Sequence, residues 1–131
     1  MSGIRVIRPS ERSRSSTQTS GMVRESGVAP DTTGSQTIWS GVVTTPPGVA
    51  SGVHHHGDCE SAIYVVRGRA RFRFGPTLEH VVDVGPGDFL FVPPNEVHSE
   101  ENLSQTDDFE MVVSRGCSTA VTVNVPDPRG S

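Results

Sequence analysis

The sequence has no apolar segment long enough to cross a membrane as a helix, which takes about 18 or more consecutive apolar residues. Its first residues, MSGIRVIRPSERSRSS, lack the apolar core of a secretory signal peptide. Basic residues are also few, because 11 Lys and Arg stand against 15 Asp and Glu for a net charge of −4, and they form no basic stripe. We therefore expect a cytoplasmic protein that binds neither membranes nor nucleic acid.

Cysteine is almost as scarce, with Cys59 and Cys117 as the two examples. Two cysteines are too few for the disulfide framework that stabilises many small secreted domains. A zinc site built on sulfur usually gathers several cysteines as well. We therefore expect two reduced thiols, with Cys59 acting as a small packed residue.

Long segments with helical periodicity are missing too. Short runs rich in Val, Ile and Phe alternate with Gly and Pro turns, which favours an antiparallel barrel or sandwich. A chain of 131 residues has room for one domain. We predict an N-terminal arm at residues 1–35, partly flexible, a barrel at residues 36–125 and a C-terminal tail at residues 126–131.

Within the arm, Ser10–Ser20 is polar and is expected to be solvated. Apolar residues on either side of it are candidates for additional strands at a sheet edge: Ile4, Val6, Ile7, Met22 and Val23. Nine barrel strands are predicted: Gln36–Val43, Ser51–His56, Ala62–Arg67, Ala70–Phe74, His80–Val84, Asp88–Val92, Glu96–Glu101, Phe109–Ser114 and Ala120–Val125.

Three consecutive histidines lie in one of these predicted strands. Because successive side chains of a strand point to opposite faces, His54 and His56 should project to one face, about 7 Å apart, and His55 to the other. A further imidazole stands far along the chain at His98. Imidazole is a common ligand of first-row transition metals, so these three histidines can bind one ion if they meet. His80 is expected to have a structural or surface role.

The segments around these histidines resemble the two sequence motifs of the cupin family. The first motif, G(x)5HxH(x)3–4E(x)6G, is matched by Gly48, His54, His56 and Glu60, and the second, G(x)5PxG(x)2H(x)3N, by Gly87, Pro93, His98 and Asn102. The resemblance covers roughly Trp39 to Val113. It implies an all-β, single-domain fold, a double-stranded β-helix or jelly-roll barrel with the histidines pointing inward.

Two positions depart from the motifs. Seven residues separate Glu60 from Gly68 where the pattern has six, so counting back from Gly68 places the usual glutamate position on Ser61. A site with Glu60 and a site of three histidines therefore both remain open. The second departure is Asn95, which stands where the motif has glycine. Asn tolerates the left-handed backbone conformation better than other non-glycine residues, so we expect the turn to be retained.

The resemblance implies one divalent transition metal ion, Fe, Mn, Ni, Cu or Zn, held by His54, His56 and His98. Glu60 is the candidate for a fourth ligand or an acid–base residue. We predict a metal-dependent enzyme that acts on a small metabolite, with dioxygenase-like chemistry ahead of lyase or isomerase chemistry. The alternative is a small-molecule binding or sensing module without catalysis.

Two predicted strands, in AIYVV and FLFV, are apolar on both faces. Strands of this kind are covered on both sides. Together with the apolar residues that flank the arm, they predict a homodimer, because extensive exposed apolar surface is unusual in a monomer.

Overall fold

The computed structural model describes residues 3–118 and 121–130, and its regular secondary structure consists almost entirely of β-strands. A single turn of 3-10 helix, Pro9–Glu11, precedes them. The ten strands are β1 Val23–Val28, β2 Trp39–Thr45, β3 His54–His55, β4 Ser61–Arg67, β5 Ala70–Phe74, β6 His80–Val84, β7 Phe89–Val92, β8 His98–Asn102, β9 Phe109–Arg115 and β10 Val123–Asn124. Within the described ranges no helix is long and apolar enough to span a membrane.

The strands form two five-stranded antiparallel sheets. The first has the order β1-β2-β9-β4-β7 and the second the order β10-β3-β8-β5-β6. Strands that are distant in sequence are therefore neighbours in each sheet, as β2 and β9 are. The predicted all-β jelly-roll architecture is confirmed.

Alternation along the strands sets the core between the sheets. In β2 and β9 every second residue is buried, and the intervening residues are only partly buried or exposed. The apolar side chains that meet inside include Trp39, Val43, Ile63, Val65, Phe72, Phe109, Met111 and Val113. A period of two is typical of strands that turn one face toward a core.

Most of the predicted strands are present, and β5 and β6 have the predicted bounds. The strand expected at Ser51–His56 is much shorter. Its first residues bond to other segments, since the Ser51 amide donates to the Glu100 carbonyl and the Gly52 amide to the Ser20 carbonyl. The strand expected at Ala120–Val125 is reduced to β10, and its first residue lies outside the described residues.

The N-terminal arm contributes to the barrel more than predicted. β1 pairs with β2 along its length and forms one edge of the first sheet. Met22 belongs to the core, and Thr19, at the end of the polar segment, is buried. Ile4 and Val6 are exposed and lie outside the strands. Of the apolar residues predicted to add an edge strand, Val23 alone lies in one.

The two cysteines form a disulfide bond, so the prediction of two reduced thiols is wrong. Cys59 and Cys117 are 58 residues apart in sequence, but their Cα atoms lie 5.9 Å apart. The fold brings them together because the loop after β3 runs beside the end of β9, where the Gly116 amide donates to the Glu60 carbonyl. Disulfides are rare in reducing compartments, so this bond counts against the cytoplasmic location expected from the sequence.

Candidate metal centre

Three histidines from separate parts of the sequence meet inside the barrel. The backbone of His54 in β3 pairs with that of His98 at the start of β8, and His56 follows β3 directly. All three side chains are buried, and their ring centroids lie 4.4 to 5.2 Å apart. One ligand nitrogen from each ring lies within 4.8 Å of the others. The predicted convergence of these histidines is therefore present.

Backbone carbonyls fix the tautomer of each ring. The Nδ1 atom of His54 lies 2.9 Å from the Gly52 oxygen, that of His56 2.9 Å from the Val121 oxygen, and that of His98 2.8 Å from the Glu96 oxygen. A carbonyl accepts hydrogen bonds and cannot donate them, so each Nδ1 carries the proton. Each Nε2 is therefore unprotonated, which is the state that a metal ligand needs, and the Nε2 of His56 faces the Arg115 Nη2 at 3.4 Å.

Burial keeps these imidazoles neutral. It lowers the pKa of His54 and His56 far below the ordinary value, with smaller contributions from the other histidines of the group and from Arg115. The pKa of His98 falls to about 4, again mainly through burial. Three neutral imidazoles with unprotonated Nε2 atoms are a donor set that fits a divalent first-row transition metal.

The other two histidines do not join this group. His55 is half-buried, and its Nδ1 accepts a hydrogen bond from the Gly57 amide, 3.0 Å away, as expected for a side chain on the opposite face of the strand. His80 is exposed beside Glu79 and packs on the ring of Phe74.

Glu60 does not reach the histidines, which corrects its prediction as a ligand or acid–base residue. Its side chain is exposed, and Ser61 takes the buried position that lines the site. In β4 the odd-numbered residues from Ser61 to Val65 face inward, so Glu60 has the outward parity. A shift of one residue moves a strand side chain to the other face. The seven residues between Glu60 and Gly68, one more than the motif has, had indicated that Glu60 is out of register.

Three charged residues that the sequence reasoning missed surround the same centre. Arg24 from β1, Glu100 from β8 and Arg115 from β9 are 1%, 2% and 3% exposed. With the three histidines they line a cavity of about 10 Å³, which has room for roughly one water-sized group. Strand parity would have indicated Glu100, because it lies two residues after His98 on the same face.

These charges are only partly satisfied. Arg24 donates from Nη1 to the Thr17 carbonyl at 2.9 Å. The Arg115 Nη2 donates to the His56 Nε2 atom at 3.4 Å, and the Arg115 guanidinium lies over the Trp39 ring. Among the described residues, both carboxylate oxygens of Glu100, the Nε of each arginine and the Arg115 Nη1 have no hydrogen-bond partner. A cluster of this kind is unusual in a protein interior and indicates a functional site.

The pKa values of these groups follow from their burial. Burial raises the pKa of Glu100 to about 7, while the charges of Arg24 and Arg115 act in the opposite direction. Burial and, to a smaller extent, the charge of Arg24 lower the pKa of Arg115 to about 9, while the charge of Glu100 acts in the opposite direction. Arg115 therefore remains charged at neutral pH.

A second, larger cavity approaches the centre from the open side of the barrel. It lies between the edge strands β6 and β7, has a volume of about 590 Å³ and reaches His98. Its lining is mostly apolar and includes Phe72, Phe74, Val82, Val84, Leu90 and Val92. Most small-molecule sites in proteins have a lining and a volume of this kind.

Comparisons with known proteins agree with this architecture. The family model described as cupin domain matches residues 41–115, more than half of the chain. A search of curated proteins found no match.

Solved structures with this fold come from several bacteria. A protein with a double-stranded β-helix domain from Klebsiella pneumoniae is 18% identical with a TM-score of 0.68, covering 83% of this chain and 88% of its own. The polyketide cyclase RemF from Streptomyces resistomycificus is 17% identical with a TM-score of 0.74, and the match covers 94% of this chain and 86% of RemF. An oxalate decarboxylase variant from Bacillus subtilis is 21% identical with a TM-score of 0.72, covering 84% of this chain but 29% of its own. Work on the decarboxylase refers to its Mn(II) centres.

Proposed function

Because the chain belongs to the cupin domain family, we propose that it is a metal-dependent enzyme whose His54, His56 and His98 bind one divalent transition metal ion. One observation carries this proposal. All three Nδ1 atoms are occupied by backbone carbonyls, which leaves three Nε2 atoms unprotonated, and ligand atoms of the three rings lie within 4.8 Å of one another. Fe, Mn, Ni, Cu and Zn all accept imidazole, so the donor set supports the class of ion and leaves the element to measurement.

The substrate we propose is a small metabolite with an aromatic or apolar body and an oxygen function. The cavity between β6 and β7 supports this class, because its phenylalanine and valine lining suits an apolar body and its inner end is His98. A bound metal would supply Lewis acidity toward the oxygen function or activate dioxygen. The apolar lining would exclude bulk water from the reacting groups and strengthen the electrostatic interactions there.

Dioxygenase-like chemistry is the first candidate, because the acid–base residue predicted from the motif, Glu60, faces solvent. Lyase or isomerase chemistry is the second. The observation that favours it is Glu100, a buried carboxylate that lines the same cavity as the histidines and offers a position for a proton.

We also propose that the chain forms a homodimer through the outer face of its first sheet. The outward side chains of β4 and β7 there are apolar and exposed: Tyr64, Val66, Phe89 and Phe91. We call this group the outer apolar face. Phe89 and Phe91, two residues apart on the same face of β7, are 78% and 63% exposed, and a contiguous exposed apolar patch of this kind marks an interaction site.

The test of the metal site compares two neighbouring histidines. Elemental analysis of purified protein should find about one transition metal ion per chain in the wild type and in His55→Ala, whereas His56→Ala should lose most of it. Equal metal content in the two variants would contradict the proposed site.

The test of catalysis follows on the metal-loaded protein. Catechols, flavonols, diketones and sugar acids are offered with each of the five metals while oxygen consumption and products are recorded. Oxygen-dependent turnover supports the dioxygenase-like class, and oxygen-independent turnover supports the lyase or isomerase class. Saturable binding of one compound without turnover under any metal would instead support a binding or sensing module.

A further inference from the structure

We infer that Glu100 supplies an outer carboxylate for the metal site, at a centre where Ser61 holds the position that the first cupin motif gives to glutamate. The inference rests on the proposed metal-binding function. In the sequence, counting back from Gly68 puts the usual glutamate position on Ser61. The structure shows that this position faces the site and that a short hydroxyl side chain occupies it.

Glu100 reaches the same cavity from a different strand. It lies two residues after His98 in β8 and therefore shares its inward face. Glu100 and Ser61 both line the 10 Å³ cavity with the three histidines. A short side chain at Ser61 leaves space in this cavity that a glutamate there would fill.

The hydrogen bonding of Glu100 separates this role from a purely structural one. A carboxylate that only neutralised Arg24 and Arg115 would be expected to accept hydrogen bonds from them, because charge-assisted bonds between these groups are short and strong. Yet neither carboxylate oxygen has a hydrogen-bond partner within the part of the chain that the structure describes. The Ser61 hydroxyl is likewise unpartnered there. These acceptor atoms surround a space that suits one ion or one water-sized group.

The charges around the cavity favour the same assignment. Two buried arginines beside three histidines would repel a divalent cation, and Glu100 is the one acidic residue that lines the cavity. The group of ligand atoms within 4.8 Å of one another contains the three histidines without Glu100. Glu100 is therefore assigned to the shell around the histidine ligands, where it acts through the position of its hydrogen-bond acceptors and not through its charge alone. Outer carboxylates of this kind typically change metal affinity by about 10- to 100-fold.

The experiment measures metal affinity by chelator competition, together with the visible spectrum of the Co(II)-loaded protein. Glu100→Gln is expected to weaken Co(II) binding by about 10- to 100-fold and to alter the spectrum. Glu100→Asp keeps the charge but withdraws the carboxylate by one methylene, and it should also weaken binding. Adding Ser61→Glu to Glu100→Gln should restore most of the affinity. The matched controls are Glu60→Gln and Glu101→Gln, which remove neighbouring acids outside this cavity and should leave affinity and spectrum unchanged.

Each outcome decides a separate point. If Glu100→Asp keeps the wild-type affinity and spectrum, the residue acts only as a counter-ion for the arginines and the inference is overturned. Unchanged affinity in Glu100→Gln overturns it as well. If the wild type itself binds no Co(II), the proposed metal site fails before Glu100 is tested. Thermal unfolding of each variant confirms folding, and the conservative Asp variant keeps the test decisive if the Gln variant does not fold.

Discussion

Cys59 and Cys117 join the loop that follows His56 to the strand end that carries Arg115, so one disulfide ties together two parts of the candidate metal centre. Cys59 lies three residues after His56, and Cys117 two residues after Arg115. The bond closes a loop across 58 residues of sequence. Closing a loop of this length restricts the unfolded chain and is typically worth about 2–4 kcal/mol.

Reduction of this disulfide is therefore expected to lower the free energy of unfolding by about 2–4 kcal/mol. It should also weaken metal binding, because His56 loses its covalent connection to β9. Thermal unfolding and chelator competition, with and without a phosphine reductant, measure both effects. The Cys59→Ser/Cys117→Ser variant should behave like the reduced protein and should not respond to the reductant. A wild type with equal unfolding temperatures under both conditions would contradict this prediction.

Asn95 provides a prediction about the turn before His98. Its φ angle is 60°, so the residue adopts the left-handed conformation expected for the glycine position of the motif. Its side chain donates to Asp58 at 3.0 Å and its amide to the Gly57 carbonyl at 2.7 Å, which connects the turn to the loop after His56. Asn95→Gly should stay within about 0.5 kcal/mol of the wild type, whereas Asn95→Ala should cost about 1 kcal/mol. Urea unfolding checks this, and equal midpoints for the two variants would argue against it.

The motifs allowed the three histidines and the turn at Asn95 to be predicted, because strand parity and glycine-like turns are local properties of a sequence. The disulfide and the arginines could not be predicted in this way. Cys59 and Cys117 meet only after β4 and β9 have paired, and the sequence contains no local sign of that pairing. Arg24 comes from an arm that was expected to be partly flexible, and its burial depends on the pairing of β1 with β2.

Glu60 and Ser61 show the limit of motif matching more directly. Either residue could occupy the glutamate position of the first motif, since the spacing from His56 favours Glu60 and the spacing to Gly68 favours Ser61. The start of β4 decides the parity, and strand ends are the part of a structure that sequence patterns place least accurately.

The stability of the metal-free protein should decrease as the pH falls below neutrality. The pKa values of His54, His56 and His98 are lowered by burial, so below about pH 6.5 the unfolded chain binds up to three protons that the folded chain does not. Glu100 opposes this effect. Its pKa is raised to about 7 by burial, so the folded chain gains one proton there, and that contribution to stability is lost as the pH rises through 7.

The balance grows from under one proton at pH 6.5 to about two protons at pH 5, which predicts a loss of roughly 1 to 3 kcal/mol per pH unit over that range. Urea unfolding of the metal-free protein at pH 7.5, 6.5 and 5.5 measures the slope. Glu100→Gln removes the opposing group and should make the decrease steeper. A slope that is zero, or that has the opposite sign in the wild type, would show that these histidines are not buried in their neutral form.

The last prediction concerns the outer apolar face. Tyr64 in β4 pairs with Phe89 in β7, and their rings lie 5.0 Å apart. Phe91 lies two residues after Phe89 in β7. These side chains form an exposed strip beside the sheet edge at β7, which a second copy of the sheet can cover. Sedimentation at micromolar concentration should therefore find a dimer. Placing a charge in the strip with Tyr64→Arg/Phe91→Arg should give a monomer, because a dimer would bury arginines without partners.

The matched control for this change is Leu103→Arg, an exposed apolar residue that follows β8 in the second sheet. It adds the same side chain away from the outer apolar face and should leave the dimer intact. Metal content should remain at the wild-type level in the double variant, since the inward faces of β4 and β7 are unchanged. A wild type that sediments as a single 14.0 kDa species at these concentrations would refute the dimer. In that case the apolar strip would need another partner, because the described part of the N-terminal arm pairs at the opposite edge of the sheet, through β1.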